Sequence, residues 1–280
     1  MKRLLLTLMI ISALFGQYDQ LFVGTRPLSM GGAFIAVADD ANTITWNPAG
    51  LPGLRRTEFT TTYADLYAMG ITQSYLGFVK PFSDRVALGF DWSNVGFDDK
   101  ELLYAENKMN LAIGVQPHRK VSFGITLKYL MRDMQLDGTS YGKSSGVGYD
   151  AGLLIQPLKN LRLGVGLYDL GGTQVAYKDK STEIILGQAF KLGISYMPID
   201  GLILAADYGD RYHFGAEYVL ASRLSFRAGV QQDVSGAEKI LVPSGGLSIK
   251  FKSLIVEYGY ESHPYLEPTH RFSLALQFSP

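Results

Sequence analysis

Few residues of this chain could perform covalent chemistry. Its 280 residues include no cysteine, so the chain has no thiolate nucleophile, no disulfide and no cysteine metal site. The four histidines are His118, His213, His263 and His270, and their spacing is not that of a metal site. No serine stands in a recognisable nucleophile motif. We therefore predict a protein that is not an enzyme and that uses neither a cofactor nor a metal.

Charged residues recur within segments that are otherwise apolar or small. The sequence pattern predicts that these charges face the interior of a β-barrel: Asp91, Lys128, Asp150, Arg162, Lys191, Asp207, Glu217, Arg227, Lys250, Glu257 and Arg271. The simpler interpretation is a structural ion-pair network across the interior. The alternative is a polar path for permeating molecules. The candidate lumen charges are Arg162, Arg227, Arg271, Glu217 and Glu257.

From about Arg55 onward the hydrophobic period is two, which is the period of a β-strand. One face carries large aliphatic and aromatic residues, and the other carries glycine, serine, alanine and scattered charge. A soluble sandwich also alternates, but its outer face is rich in Lys, Glu and Thr, and glycine is disfavoured within strands. The glycines of the small face are Gly77, Gly89, Gly114, Gly124, Gly152, Gly164, Gly193, Gly215, Gly229, Gly246 and Gly259. Small residues on this face leave room inside a barrel.

The connections between these segments also alternate in length. Short turns are predicted at 81–84, 117–120, 157–160, 198–201, 220–222 and 251–253. Longer polar loops are predicted near 94–105, 133–146, 171–184, 232–239 and 261–268. Segments of about ten to twelve residues, joined by short turns at one end and longer loops at the other, are typical of transmembrane barrels. We predict an all-β fold, a transmembrane antiparallel β-barrel of about 14 strands over residues 54–280.

The start of the chain has the pattern of an export signal. Lys2 and Arg3 precede an apolar run over 4–14, which is too short to span a bilayer, and the chain turns polar at Gln17. We predict a signal peptide over 1–17 that is cleaved on export, and a location in the bacterial outer membrane, with the lipid bilayer as partner. A buried N-terminal helix is the alternative. Basic and acidic residues number 26 each, so no global basic field indicates nucleic acid.

Residues 18–53 precede the barrel and do not alternate. The small apolar run over 30–38 predicts a helical turn that ends at Asp39 and Asp40, and Pro48 favours an extended Asn47. Because the glycine-lined interior offers space, we predict that this segment is a partly helical hatch in the lumen. The candidate hatch or gate residues are Asp39, Asp40, Trp46, Asn47, Pro48, Ala49 and Gly50. As a hypothesis, Asp39 and Asp40 pair with Arg162, Arg227 or Arg271 and latch the hatch.

Two stretches of this segment resemble a known signature. GTRPLSMGGAFIAVADDA over 24–41, followed by WNPAGL over 46–51, resembles the N-terminus of the PorV/PorQ outer-membrane proteins. The Asn-Pro-Ala-Gly part is similar to the hatch of the FadL-type long-chain fatty acid transporters. The resemblance implies a fourteen-stranded barrel with an N-terminal hatch. FadL-type members carry hydrophobic molecules across the outer membrane, and PorV-type members hold cargo proteins for type IX secretion.

Two functions are therefore expected. The first is passive transport of small hydrophobic molecules, with the N-terminal segment as hatch and a hydrophobic small molecule as ligand. The alternative is a non-transporting PorV-like barrel that anchors or shuttles a secreted protein partner.

Overall fold

The computed structural model describes residues 23–98, 102–136, 139–177, 182–234 and 240–278. The predicted signal peptide lies outside these residues. The helical elements are short: α1 (Thr25–Ser29), α2 (Thr43–Trp46) and the 3-10 helix η1 (Pro48–Gly53). Within the described ranges no helix is long and apolar enough to cross a membrane.

The rest of the described chain is mainly strand. The strands are β1 (Thr57–Leu66), β2 (Ile71–Ser83), β3 (Val86–Asp98), β4 (Leu102–His118), β5 (Val121–Leu136), β6 (Thr139–Leu158), β7 (Leu161–Tyr168), β8 (Thr173–Tyr177), β9 (Thr182–Leu186), β10 (Ala189–Ile199), β11 (Leu202–Tyr208), β12 (Arg211–Leu220), β13 (Leu224–Asp233), β14 (Leu241–Phe251), β15 (Leu254–Glu261) and β16 (Thr269–Phe278).

Fourteen of these strands form a closed antiparallel barrel. Each barrel strand pairs with its neighbours in chain order, with β7 pairing with β10, and β1 pairs with β16 to close the wall. The other two strands, β8 and β9, form a hairpin that pairs with the part of β6 beyond β7. The predicted antiparallel barrel of about 14 strands is confirmed.

The wall is interrupted where β7 ends. The ladder between β6 and β7 ends at the pair Ala151–Leu167, and the ladder between β6 and β8 begins at the pair Val147–Gln174. Six residues, 168–173, therefore lie opposite three residues of β6, 148–150. The intervening turn uses Gly171 and Gly172 at φ 83 and 76, a region that glycine enters without steric cost. The sequence places a loop at 171–184, and the structure shows the hairpin β8–β9 there instead.

Burial follows the predicted alternation. Every second residue of β1, from Glu58 to Leu66, is buried, and the residues between them are more exposed. On β16 the outward side chains of Phe272, Leu274 and Phe278 are 58%, 48% and 48% exposed. Large apolar residues outside and small or polar residues inside are the arrangement of a barrel whose outer surface contacts lipid.

The two ends of the barrel differ in their connections. At the turn end, where β1 begins and β16 ends, the six short turns lie where the sequence predicts them. At the opposite, loop end, the predicted loops 94–105 and 133–146 are largely strand, since β3 to β6 continue through most of these residues. The alternation is lost there, but the hairpin ladders continue, because backbone pairing does not require one face to be apolar.

Of the helical turn predicted over 30–38, the structure has one helical hydrogen bond near its end, from the Ala38 amide to the Phe34 carbonyl at 3.0 Å, and no longer helix. The helix lies earlier, at α1, and Gly31 and Gly32 follow it at φ 64 and 78. Such a conformation cannot continue a right-handed helix. The residues after it therefore form turns rather than a helix.

Candidate functional site: the lumen and the N-terminal segment

Residues 23–54, the N-terminal segment, lie against the inward glycines of the wall. A Cβ built on Gly89 of β3 would come within 2.5 Å of Ile44 Cγ1, and one on Gly114 of β4 within 2.6 Å of Pro52 Cδ. The inward glycines whose added Cβ would meet the segment are Gly89, Gly114, Gly124, Gly152, Gly164, Gly193, Gly215, Gly229, Gly246 and Gly259. They belong to ten of the fourteen barrel strands. Glycine on these strands therefore allows the segment to pack directly on the backbone of the wall.

The segment forms its own apolar core with the wall. Phe34 and Trp46 meet edge to face at 5.9 Å between ring centroids, and both are buried. Trp46 Nε1 donates a hydrogen bond to the Val23 carbonyl at 3.0 Å, which satisfies its polar atom. Tyr168 of β7 and Ala205 of β11 complete this cluster from the wall side.

Asn47, Pro48, Ala49 and Gly50 form a compact turn within this packing. Asn47 is extended, at φ −160 and ψ 99, as its position before proline predicts. Its side-chain amide donates to the Ile35 carbonyl at 2.8 Å, and its Oδ1 accepts from the Ala49 amide at 3.2 Å. One buried side chain therefore joins residue 35 to the start of η1. Gly50 packs against residue 38, where a Cβ would strike the backbone.

Arg26 is the ionic centre of the segment. Its Nε and Nη2 donate to the two carboxylate oxygens of Glu217, both at 2.8 Å, which is a bidentate pair. Its Nη1 lies 2.5 Å from Asp39 Oδ1 and 2.9 Å from Asp40 Oδ2. The Arg26 and Glu217 side chains are only 12% and 3% exposed. The segment is thereby tied to itself and to strand β12.

The charge state of Arg26 follows from these contacts. Burial alone would lower the pKa of Arg26, but the carboxylates of Asp39, Glu217 and Asp40 raise it well above its usual value. The guanidinium therefore stays charged.

The predicted partners of Asp39 and Asp40 need correction. Both pair with Arg26 rather than with Arg162, Arg227 or Arg271. Sequence reasoning overlooked Arg26 because it lies in the part of the chain without alternation, where nothing in the pattern marks a residue as inward.

The lumen charges selected from the sequence divide into three groups. Arg227 donates to Glu217 at 2.6 Å and lies 2.9 Å from Glu257, so these three continue the Arg26 cluster along the wall. Arg162 donates to the carbonyls of residues 37 and 38 of the N-terminal segment. Arg271 donates to Gln73 Oε1 across the β16–β1–β2 wall.

A second buried cluster stands at the interruption of the wall. Lys128 Nζ lies 2.8 Å from Asp150 and 2.7 Å from Asp169, and all three are almost fully buried. Asp169 also accepts from Thr173 Oγ1 at 2.6 Å. The cluster thus holds the turn between β7 and β8 onto β5 and β6. The sequence indicated that Lys128 and Asp150 face inwards but not that Asp169 joins them.

Two cavities lie at the two ends of the barrel. The one at the turn end has a volume of about 710 Å³ and is lined by Asp39, Gly50 and Arg162, with the side chains of the short turns. The one at the loop end measures about 340 Å³ and is lined by Leu28 of the N-terminal segment and by wall residues that include Gln73 and Arg271. Parts of the N-terminal segment therefore border both cavities.

Solved structures share this architecture. The chain aligns with a structure described as the CymD monoaromatic hydrocarbon channel at a TM-score of 0.74 and 16% identity, over 94% of this chain and 99% of that one. For the toluene transporter TbuX of Ralstonia pickettii the TM-score is 0.66 at 13% identity, over 91% and 98%. For a FadL homologue of Pseudomonas aeruginosa it is 0.62 at 12% identity, over 94% and 100%.

The chain has the fold of these proteins. The fourteen-stranded barrel implied by the sequence resemblance is confirmed, and the hatch and the assignment to FadL-type or PorV/PorQ proteins stay predictions. No protein-family model and no curated protein matches the chain.

Proposed function

We propose that this protein is an outer-membrane channel for the passive transport of small hydrophobic molecules, with the N-terminal segment as its hatch. The observation that carries the proposal is the pair of cavities at opposite ends of the barrel, each bordered by that segment. A molecule that moves along the barrel axis has to pass or displace the segment. The segment is held by hydrogen bonds, ion pairs and packing, so its displacement breaks no covalent bond.

Two further observations support a hydrophobic ligand and a membrane location. The outward face is apolar around the barrel, which suits a lipid environment. The structures with the same fold include proteins described as a monoaromatic hydrocarbon channel and a toluene transporter. In this proposal the signal peptide directs export, the turn end faces the periplasm and the loop end faces outwards. The cargo-carrying alternative stays a prediction.

A reversible disulfide lock between the N-terminal segment and the wall tests whether the segment acts as a hatch. Thr25 Oγ1 of α1 and Ser273 Oγ of β16 are 2.5 Å apart, so cysteines at both positions can form a disulfide between the segment and the wall. The chain has no other cysteine. The control is Thr62→Cys with Ser273→Cys: these hydroxyls are 2.6 Å apart on the paired strands β1 and β16, and their disulfide leaves the segment free.

The readout is uptake of a fluorescent hydrophobic probe by vesicles whose outer leaflet is lipopolysaccharide, since plain phospholipid passes apolar molecules unaided. We expect the oxidised lock variant to take up no more probe than protein-free vesicles and to recover on reduction. The control should transport in both redox states. Uptake by the lock variant that is the same before and after reduction would refute the hatch, and an inactive wild type would refute transport.

A further inference from the structure

The exposed charges are distributed unequally between the two ends of the barrel. Among the described residues, the exposed cations at the turn end are Arg55, Arg56, Lys80, Arg85, Arg119, Lys120, Lys159, Arg223 and Lys252. The exposed carboxylates there are Asp84, Asp200 and Asp39, and Asp39 lines the turn-end cavity. At the loop end the described and exposed charges are Asp65, Asp98 and Glu267 against Lys143. The turn end is therefore strongly basic, although the whole chain has a net charge of zero.

The cations stand directly beyond the apolar outer band. Leu158 pairs with Leu161 and Phe251 with Leu254 as the last pairs before their turns. Leu158 and Phe251 are 59% and 60% exposed, and each is followed by an exposed lysine in its turn. The same order of apolar pair and then cation occurs at Leu220, Leu224 and the intervening Arg223. The cations are thus placed where the hydrocarbon of a bilayer ends.

Some of these cations also lie beside apolar side chains. Lys80 Nζ is 5.7 Å from the centroid of the Phe82 ring, which is itself 61% exposed. Both residues are on the outward face of β2, two positions apart. At the edge of the hydrocarbon of a bilayer, aromatic rings are common, and lysine side chains beside them extend their ammonium groups to the level of the lipid headgroups.

We infer that this basic rim, formed by the exposed cations of the turn end, is a binding surface for anionic phospholipid headgroups in the leaflet at the turn end. Phosphate-bearing headgroups at that depth complement the cations, and the attraction is electrostatic and screened by salt. A soluble acidic partner is less well matched, because Lys159, Arg223 and Lys252, which lie outside the turn-end cavity, each stand in a turn next to an outward apolar pair. This binding rests on the proposed membrane location and does not require the lumen to conduct.

The test measures lipid selectivity in reconstituted bilayers. Spin-labelled phosphatidylglycerol and phosphatidylcholine are compared by electron spin resonance for association with the full mature protein. The variant combines Lys80→Gln, Lys159→Gln, Arg223→Gln and Lys252→Gln, four exposed positions that do not line the turn-end cavity. The matched control is Lys143→Gln at the loop end. Heat-modifiable electrophoretic mobility verifies that each barrel is folded.

The wild type and the control should prefer phosphatidylglycerol by at least about twofold at low salt, and the preference should fall as salt rises. The fourfold variant should approach equal association. The double variant Lys159→Gln with Lys252→Gln should lose part of the preference, which covers the case in which the fourfold variant folds poorly. Equal association by the wild type, full preference in the substituted variants, or loss of preference in the control would overturn the inference.

Discussion

Replacement of Arg26 by methionine tests how firmly the N-terminal segment is held. Methionine keeps the apolar stem but removes the bidentate bonds to Glu217 and the contacts with Asp39 and Asp40. Breaking a buried ion pair by removal of one partner costs about 3–5 kcal/mol. Glu217 keeps its bond from Arg227, and Asp40 keeps its bonds from residue 42, so the lower end of this range applies. Asp39 is 39% exposed and adds little.

A loss of about 3 kcal/mol in the free energy of local opening corresponds to a roughly hundredfold faster amide exchange, at about 1.4 kcal/mol per factor of ten. Hydrogen–deuterium exchange with mass spectrometry on peptides from residues 25–50 measures this directly. The control is Arg55→Met, which removes an exposed pair with Asp84 and should leave the exchange of these peptides unchanged. An acceleration below about tenfold for Arg26→Met would refute the view that this ion cluster holds the segment.

Three other predictions concern the lumen. Lys128→Met leaves Asp150 and Asp169 buried without their cation, so it should lower the free energy of unfolding measured in urea by about 3–5 kcal/mol. The control Lys143→Met removes an exposed pair and should change it by less than about 1 kcal/mol. Equal effects of the two substitutions would contradict the structure. Gly124→Ala places a methyl group against the backbone of Pro48 and should lower the free energy of unfolding by about 1–3 kcal/mol. The control is Gly187→Ala, whose new carbon has no atom within 4 Å and which should lower it less. In the variant Trp92→Phe the remaining tryptophan is Trp46, which is 2% exposed, so acrylamide should barely quench the fluorescence. Quenching should increase when Arg26→Met is added. Strong quenching without Arg26→Met would show that Trp46 is not buried in the lumen.

The barrel could be predicted from the sequence because its signal is local. Alternation of large apolar residues with glycine and polar residues fixes which side of each strand faces outwards, and short turns mark where strands reverse. The inward positions of Lys128, Glu217 and Arg227 follow from that alternation alone. The length of β3 to β6 could not be predicted in this way, since these strands lose the alternation at the loop end and keep only their ladders.

The arrangement of the lumen depends on contacts between distant residues, and these leave little trace in a single sequence. Arg26 reaches Glu217 from a stretch without periodicity, and Asp169 joins Lys128 through a turn that reads as an ordinary glycine-rich loop. The inward glycines did indicate that something packs closely inside. They did not indicate which residue meets which glycine, because a residue without a side chain carries no preference for its neighbour.

The order of the chain has a consequence for how the barrel assembles. The N-terminal segment is synthesised before β1, yet it rests on glycines of strands from β3 to β15, and the wall closes only when β1 meets β16. Neighbouring hairpins form from local contacts, whereas this last pairing joins Thr57 to Phe278 and is the slowest kind of contact to make. The seam therefore closes a wall whose interior is occupied by the residues made first. The bore of that cylinder follows from the number and stagger of its strands, and the inward glycines leave the enclosed chain the room that it occupies.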